Sequence, residues 1–323
     1  MHRKTNLCSF CVIRGRKNIC KICVLKHKNM IPKIIHYCWF GGNPLPPLAL
    51  ECIASWRKFF PDYEIWQWGE DDNVNDNENG NNKINGNEEI NVNDGKLFDK
   101  KMAFDVNTIP YTTEAYAQKK YAFVSDYARI WALYKYGGIY FDTDVEVIKP
   151  MDDIISQGAF MGFEVDPDGE NSPEEYAPRY SYDVALGLGF GIEAKHPFML
   201  QLMDYYKNLE FDISNLTPYS KTIVAHTTEN LVKLGLKNIP GIQKVGGITI
   251  YPSEYFAPIN AITGRLHITE NTRSIHRYMA SWNEQKNKGI KDYIHHYIPE
   301  SLLILYNKIK RRRYRIINEN RNV

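Results

Sequence analysis

No run of about 18 apolar residues occurs anywhere in the 323-residue sequence, so no transmembrane helix is expected. The basic N-terminal stretch lacks the unbroken apolar segment of a secretory signal peptide. A surplus of one charge is missing too. The 40 Lys and Arg stand against 38 Asp and Glu, a formal charge of +2, so the overall balance does not draw the chain to nucleic acid. No internal repeat is present, which excludes a solenoid or propeller. These absences point to a cytoplasmic protein, either free or peripheral at the inner face of a membrane.

What is present is ordinary for a globular chain: 43 % hydrophobic and 24 % charged residues. At roughly 150 residues per domain the length suits two domains, or one α/β domain with attachments. The 22 Tyr and 6 Trp serve chiefly a core, and also suit stacking on ring-shaped ligands.

Four of the six cysteines fall in two pairs, Cys8-x2-Cys11 and Cys20-x2-Cys23, with His27 close by. Two such turns can present four thiolates to Zn²⁺. Residues 1–29 read equally as a flexible basic tail. Met30 stands just before the globular pattern, so they also read as an upstream extension. Cys38 and Cys52 read as buried free thiols.

Residues 30–290 carry the globular pattern. A buried strand at 34–40 is broken by Gly41-Gly42-Asn43-Pro44. A helix follows from Leu48 to Phe60, and a second strand at 63–68. This strand–helix–strand order opens nucleotide-binding α/β domains. Residues 70–95 are dominated by Asn, Asp, Glu and Gly, too polar to offset their ordering entropy, and read as a disordered insertion. The spacing predicts a helix over 113–136, with Phe123, Tyr127, Ile130, Trp131 and Tyr134 on one face, stopped by Gly137-Gly138. A strand from Ile139 then runs through Asp142-Thr143-Asp144 to Ile148. Further helices are expected at 197–209 and 227–236. Residues 291–323 form a basic tail, in which Leu302, Leu303, Tyr306, Ile309 and Ile316 share a face beside Lys310-Arg311-Arg312-Arg313.

Two Asp-x-Asp strings occur. Asp166-Pro167-Asp168 lies in a polar loop and reads as solvated surface. Asp142-Thr143-Asp144 follows a helix, a Gly-Gly stop and an apolar strand. Ligands of open α/β sheets bind beyond the carboxyl ends of strands. Two carboxylates there give a hard cation such as Mg²⁺ or Mn²⁺ a few oxygen ligands, and phosphates supply the rest. On the preceding helix Asp126 and Arg129 are three residues apart. They read either as a surface ion pair or as a carboxylate and a guanidinium aimed at a ligand.

Ala122-Phe123-Val124-Ser125-Asp126-Tyr127-Ala128-Arg129, followed by Tyr136-Gly137-Gly138-Ile139-Tyr140-Phe141-Asp142-Thr143-Asp144, resembles the glycosyltransferases with a DXD sugar-binding region. That family includes fungal initiating mannosyltransferases and bacterial enzymes of capsular polysaccharide synthesis. Ile31-Pro32-Lys33-Ile34-Ile35-His36-Tyr37-Cys38-Trp39-Phe40-Gly41-Gly42 resembles its opening, and His276-Arg277-Tyr278-Met279-Ala280-Ser281-Trp282 its closing His…Ser-Trp segment. The resemblance implies a GT-A type nucleotide-diphospho-sugar transferase fold: a single Rossmann-like α/β domain with a mixed central sheet. It also implies retaining chemistry with Mn²⁺ or Mg²⁺, a UDP- or GDP-hexose donor, and a saccharide acceptor that is free or lipid-linked. Carried over, Asp126, Arg129, Asp142 and Asp144 are the catalytic set. Trp39, Tyr140, Ser281 and Trp282 line the donor, and Asp144 and His276 hold the metal. Trp39 also reads as core, His276 as a surface histidine, and Trp282 as a hydrophobic cap. Two alternatives stand beside this reading: a zinc-ribbon adaptor gripping nucleic acid through Arg14-Gly15-Arg16-Lys17, and a carbohydrate-binding protein without turnover.

Overall fold

The computed structural model describes residues 30–70, 97–169, 182–212, 222–260, 264–279 and 302. The cysteine pairs at 8–23 and the polar insertion fall outside the described residues. So do the C-terminal tail apart from residue 302, and Ser281 and Trp282.

The chain begins with β1 (Ile34–Cys38), α1 (Pro47–Phe59), β2 (Glu64–Gly69) and β3 (Lys100–Ala103). Helices α2 (Pro110–Ala117) and α3 (Tyr121–Tyr136) lead into β4 (Gly138–Tyr140) and β5 (Val145–Val147). Next come α4 (Asp152–Ile155), β6 (Phe160–Val165), β7 (Asp183–Ala185), β8 (Phe190–Ile192), α5 (Pro197–Lys207) and α6 (Ile223–Lys233). The hairpin β9 (Gln243–Val245) and β10 (Ile248–Tyr251), a 3₁₀ turn at Ser253–Tyr255, and β11 (Ser274–His276) complete the described part.

Nine strands form one mixed sheet in the order β3-β2-β1-β4-β8-β6-β10-β9, with β7 on β6. β1 pairs in parallel with β2 and β4, while β8 runs antiparallel to β4 and β6. Side chains alternate between two cores, as strand geometry requires when both faces are covered. Ile35, Tyr37, Ile65 and Ile139 pack with Ile53 and Trp56 of α1. Trp66, Trp68 and Tyr140 pack on the other face with residues of α3, α5 and α6. The mixed α/β architecture matches the expectation. No described helix is long and apolar enough to cross a membrane.

Three local differences from the sequence reading bear on the site. The single helix expected over 113–136 is two. Lys119 sits in the left-handed region at φ 56°, its N–H reaching the Tyr116 carbonyl (2.9 Å) and that of Lys120 reaching Ala115 (2.8 Å). This is the Schellman stop of a helix, normally marked by Gly. With Lys in that place the sequence gives no sign of it. Second, α3 is not amphipathic in the expected way. Val124 to Ile130 are all buried, because the helix lies between the sheet and helices α2 and α5. The pair Asp126–Arg129 is therefore buried, not a surface ion pair.

Third, the strand expected to run through 142–144 breaks there. β4 ends at Tyr140, the Val145 N–H closes a turn on the Asp142 carbonyl (3.0 Å), and β5 leaves the main sheet to pair with β11. Helix α1 holds β5 from behind: Trp56 Nε1 donates to the Val145 carbonyl (2.7 Å), and the Val147 N–H donates to Ser55 Oγ (2.9 Å).

The approach to this turn is set by His36 on β1. The Trp68 indole, a donor only, donates to His36 Nδ1 (3.0 Å), so Nε2 carries the proton and donates to the Gly137 carbonyl (2.8 Å). Burial outweighs that bond and pushes the imidazole down to about 4, so it stays neutral. The Gly137-Gly138 pair does more than stop α3. Gly138 has φ 115°, and a Cβ there would lie 2.5 Å from the Ile34 carbonyl oxygen.

Candidate active site

At the end of β4 two charge clusters meet. The first is built on α3. Arg129 Nη2 lies 3.1 Å from Asp126 Oδ1, Nη1 lies 3.0 Å from Asp142 Oδ1, and Nε donates to the Ser125 carbonyl (3.1 Å). The guanidinium also stacks over the Tyr140 ring at 4.6 Å, and the Tyr140 hydroxyl donates to Asp142 Oδ1 (3.2 Å). Each guanidinium nitrogen is thus engaged within the protein. Burial works against the Arg129 charge, but Asp142, Tyr140 and Asp126 outweigh it and hold the group firmly protonated. Burial also dominates at Asp126. Despite Arg129, and with Asp142 adding to it, the carboxyl is pushed up to about 7. The Cys38 thiol beside this cluster is buried and pushed up to about 12, chiefly by burial. Cys38 and Cys52 are both buried free thiols, as expected.

The second cluster is built on the β5–β11 ribbon. His276 Nε2 lies 3.2 Å from Asp144 Oδ1, and the Met279 N–H donates to Asp144 Oδ2 (2.8 Å). Burial, the largest influence, works against both charges. For Asp144 the His276 bond and charge and the Met279 N–H win, and the carboxyl is held below its ordinary value. For His276 the Asp144 bond and charge, with Asp142 and Glu164, outweigh burial and raise the imidazole. Arg277 Nε donates to Glu146 Oε2 (2.9 Å), tying the two strands together beside the site.

The clusters share Asp142. Ligand atoms of Asp142, Asp144 and His276 all lie within 4.8 Å of one another. The fit to a divalent cation can be tested on one atom. His276 Nδ1 is buried and has no hydrogen-bond partner among the described residues, which is costly unless something binds there. Two carboxylates and an imidazole suit Mn²⁺, and with more oxygen ligands Mg²⁺. The residues present fit the group. The resemblance places Asp142 in the catalytic set and not among the metal ligands; the geometry brings it into the candidate metal cluster as well.

The other expected residues are placed as follows. Trp39 is half-buried against the α1-side core, with its indole N–H on the Asn43 carbonyl (2.6 Å). Tyr140 is fully buried under Arg129. Asp166 and Asp168 are exposed, as expected of that string, but each is bonded. Asp166 accepts from the Ser253 N–H (2.8 Å) and hydroxyl, and Asp168 accepts from Asn238 Nδ2 (3.2 Å).

Three residues at the site carried no expectation. Glu164, next to last in β6, lies beside the Tyr278 hydroxyl, near enough to Asp142, Asp144 and His276 to feel their charges. Burial leads in raising its carboxyl, with Asp142 and Asp144 adding, against His276 and Tyr278. A carboxylate inside the apolar run Met161-Gly162-Phe163-Glu164-Val165 is the signal that marks it. Gly187 gives its carbonyl to the Asp142 N–H (2.9 Å), and a Cβ there would meet Asp142 Oδ2 at 1.7 Å. A glycine inside the apolar run Ala185-Leu186-Gly187-Leu188 hints at such a close approach. Tyr278 carries no sequence signal.

A mixed sheet flanked by helices, with an acidic turn and a histidine converging beyond the end of β4, is consistent with a GT-A Rossmann-like domain. Residues 46–161 match the family described as "Glycosyltransferase sugar-binding region containing DXD motif". Over those residues the chain is similar to this glycosyltransferase family. The matched span holds Asp126, Arg129, Tyr140, Asp142 and Asp144, and stops short of His276. A curated relative, inositol phosphoceramide mannosyltransferase 1 of Schizosaccharomyces pombe, is 27 % identical over 177 residues, 53 % of this chain. The match spans 41 % of that relative's length. Among solved structures, the galactosyltransferase LgtC overlaps at a TM-score of 0.42 with 15 % identity, covering 83 % of this chain and 98 % of the other. The PaToxG glycosyltransferase overlaps at 0.40 with 18 % identity, covering 64 % and 70 %. These overlaps are too loose to position any residue.

Proposed function

We propose that this chain is a metal-dependent, retaining glycosyltransferase that moves a hexose from a UDP- or GDP-sugar to a saccharide acceptor, in glycan or capsular polysaccharide synthesis. The observation that carries the reading is the convergence of Asp142, Asp144 and His276 within 4.8 Å, beside the buried Asp126–Arg129 pair. Asp144 and His276 would hold Mn²⁺ or Mg²⁺, with Asp142 at the edge of the set. The cation, when bound, neutralises charge developing on the leaving diphosphate.

The remaining tasks fall to the chain itself. Asp126 and Asp142, oriented by Arg129, face hydroxyls of the donor sugar. Trp39 and Tyr140 line the nucleotide side, and Ser281 and Trp282, outside the described residues, complete it. Retention is assigned to front-face substitution. The acceptor oxygen bonds to the anomeric carbon as the bond to the diphosphate breaks, and the departing phosphate oxygen takes the acceptor proton. Glu164 is the carboxyl to watch for a covalent alternative, but its raised affinity for a proton disfavours it as a nucleophile. Trapping a glycosyl-enzyme on any carboxylate contradicts front-face transfer.

The test is a donor-hydrolysis screen over UDP- and GDP-hexoses with Mn²⁺. The mannosyltransferase among the relatives makes GDP-mannose the first donor to try. One donor turned over well above the rest, and only with metal, is expected; no turnover of any nucleotide-sugar overturns the reading. For the acceptor, the basic amphipathic sequence at 301–323 suits an anionic membrane bearing lipid-linked saccharides. Deleting those residues is expected to reduce liposome flotation. The zinc and nucleic-acid alternative rests wholly on residues 1–29, outside the described residues.

A further inference from the structure

Tyr278 holds an unusual backbone. Its φ is 49°, one of three non-glycine residues with positive φ among those described. Bulky side chains rarely adopt this region, which is disfavoured sterically. Such a conformation persists only where the surroundings fix it. The residues on either side show what it achieves here. The Arg277 N–H donates to the Asp144 carbonyl (2.9 Å), continuing the β5–β11 ribbon by one pair. An extended residue 278 would carry the next N–H away along the strand. The left-handed turn instead brings the Met279 N–H onto the Asp144 carboxylate, 2.8 Å from Oδ2.

The side chain acts on the other ligand. The Tyr278 ring meets the His276 imidazole edge to face, with centroids 4.3 Å apart and planes at 81°. The ring is itself backed by Glu164, whose carboxyl lies beside the Tyr278 hydroxyl. One residue therefore sets Asp144 through its backbone and His276 through its ring. His276 Nε2 and Asp144 Oδ1 then meet at 3.2 Å, and His276 Nδ1 is left without a partner among the described residues.

We propose that Tyr278 is a positioning residue for the metal cluster: its left-handed backbone aims Met279 N–H at Asp144, and its ring fixes the plane of His276. The proposal rests on the reading of Asp144 and His276 as metal ligands. Preorganised supporting contacts of this kind change metal affinity by about 10- to 100-fold.

The test uses the full chain and three variants that separate ring from backbone. Tyr278→Phe keeps both. Tyr278→Asn tolerates the left-handed region and loses the ring. Tyr278→Ile, β-branched, opposes that region. Mn²⁺ alone is titrated by electron paramagnetic resonance, and hydrogen exchange of the Met279 amide is followed without metal. Expected are an affinity within about 2-fold of wild type for Phe, about 10-fold weaker binding for Asn, and weaker still for Ile. Met279 protection is expected to be kept in Phe and Asn and lost in Ile. Equal Mn²⁺ affinity in all four proteins overturns the positioning role, while loss of binding in Asp144→Ala keeps the metal reading intact. If wild type and Asp144→Ala bind Mn²⁺ alike, the metal reading falls instead. The Met279 amide then decides separately, and unchanged protection in Ile sinks the backbone role. Should Tyr278→Ile fail to fold, the Phe and Asn comparison still decides the role of the ring.

Discussion

The chain carries the string Asp-x-Asp twice, and the two copies have come to opposite ends. Asp166 and Asp168 stay on the surface and tie loops together, through Ser253 and Asn238. Asp142 and Asp144 sit where a strand leaves the main sheet, one bonded to a buried arginine and the other to a histidine over 130 residues away. Three letters are identical or nearly so; the neighbours differ. A carboxylate in water has its charge satisfied by solvent and needs no partner. A carboxylate enclosed by protein must find donors or cations, and those partners make it a site.

The two strings are expected to differ most at Asp144. Asp144→Ala is expected to lower metal-dependent donor hydrolysis by at least about 10³-fold, or about 4 kcal/mol of activation free energy. Wild-type turnover in that variant would remove the distinction between the two strings. Arg129→Ala strands Asp126 and Asp142 without their cation. Removing one partner of a buried pair costs about 3–5 kcal/mol, and the lower end is expected because Asp126, already pushed up to about 7, can take a proton. Urea unfolding measures this, and a loss below about 1 kcal/mol means the pair contributes little. Gly187→Ala puts a methyl group onto Asp142 and is expected to cost about 1–3 kcal/mol. It should also raise the donor KM more than it lowers kcat. At the second string, Asp166→Ala removes exposed hydrogen bonds and is expected to cost about 1 kcal/mol, with hydrolysis within about 2-fold of wild type.

A further effect is in the pH profile. The Asp126 carboxyl binds its proton more tightly in the folded chain, at about 7, than an unfolded aspartate does at about 3.9. Between those values the folded state holds a proton that the unfolded state has released. Stability is therefore fully present below about 4 and declines as pH rises toward 7, then levels. Asp126→Asn should flatten this part of the curve in thermal melts, and an unaltered slope shows that Asp126 does not titrate there.

The half of the site on α3 and β4 was legible in the sequence. Asp126, Arg129 and Asp142 lie close together along the chain, on elements marked by periodicity and by Gly137-Gly138. The half on the β5–β11 ribbon was legible only through resemblance. No local pattern says that His276 pairs with Val145, because register between distant strands depends on the whole sheet. The break at Lys119 and the turn at Tyr278 were not legible. Both place a non-glycine residue in the left-handed region, which tertiary contacts enforce and composition does not announce. Burial of the Asp126–Arg129 pair was left open for a related reason. A helix covered on several sides shows the same apolar face as one covered on a single side, and only its neighbours reveal the rest.

On the proposed function, only the buried string binds the cation. Anomalous diffraction from crystals soaked in Mn²⁺ with UDP locates the metal directly. A single strong peak among Asp142, Asp144 and His276, with none at Asp166 and Asp168, is the predicted result. A peak at the surface string, or no peak at the buried cluster at saturating Mn²⁺, contradicts it.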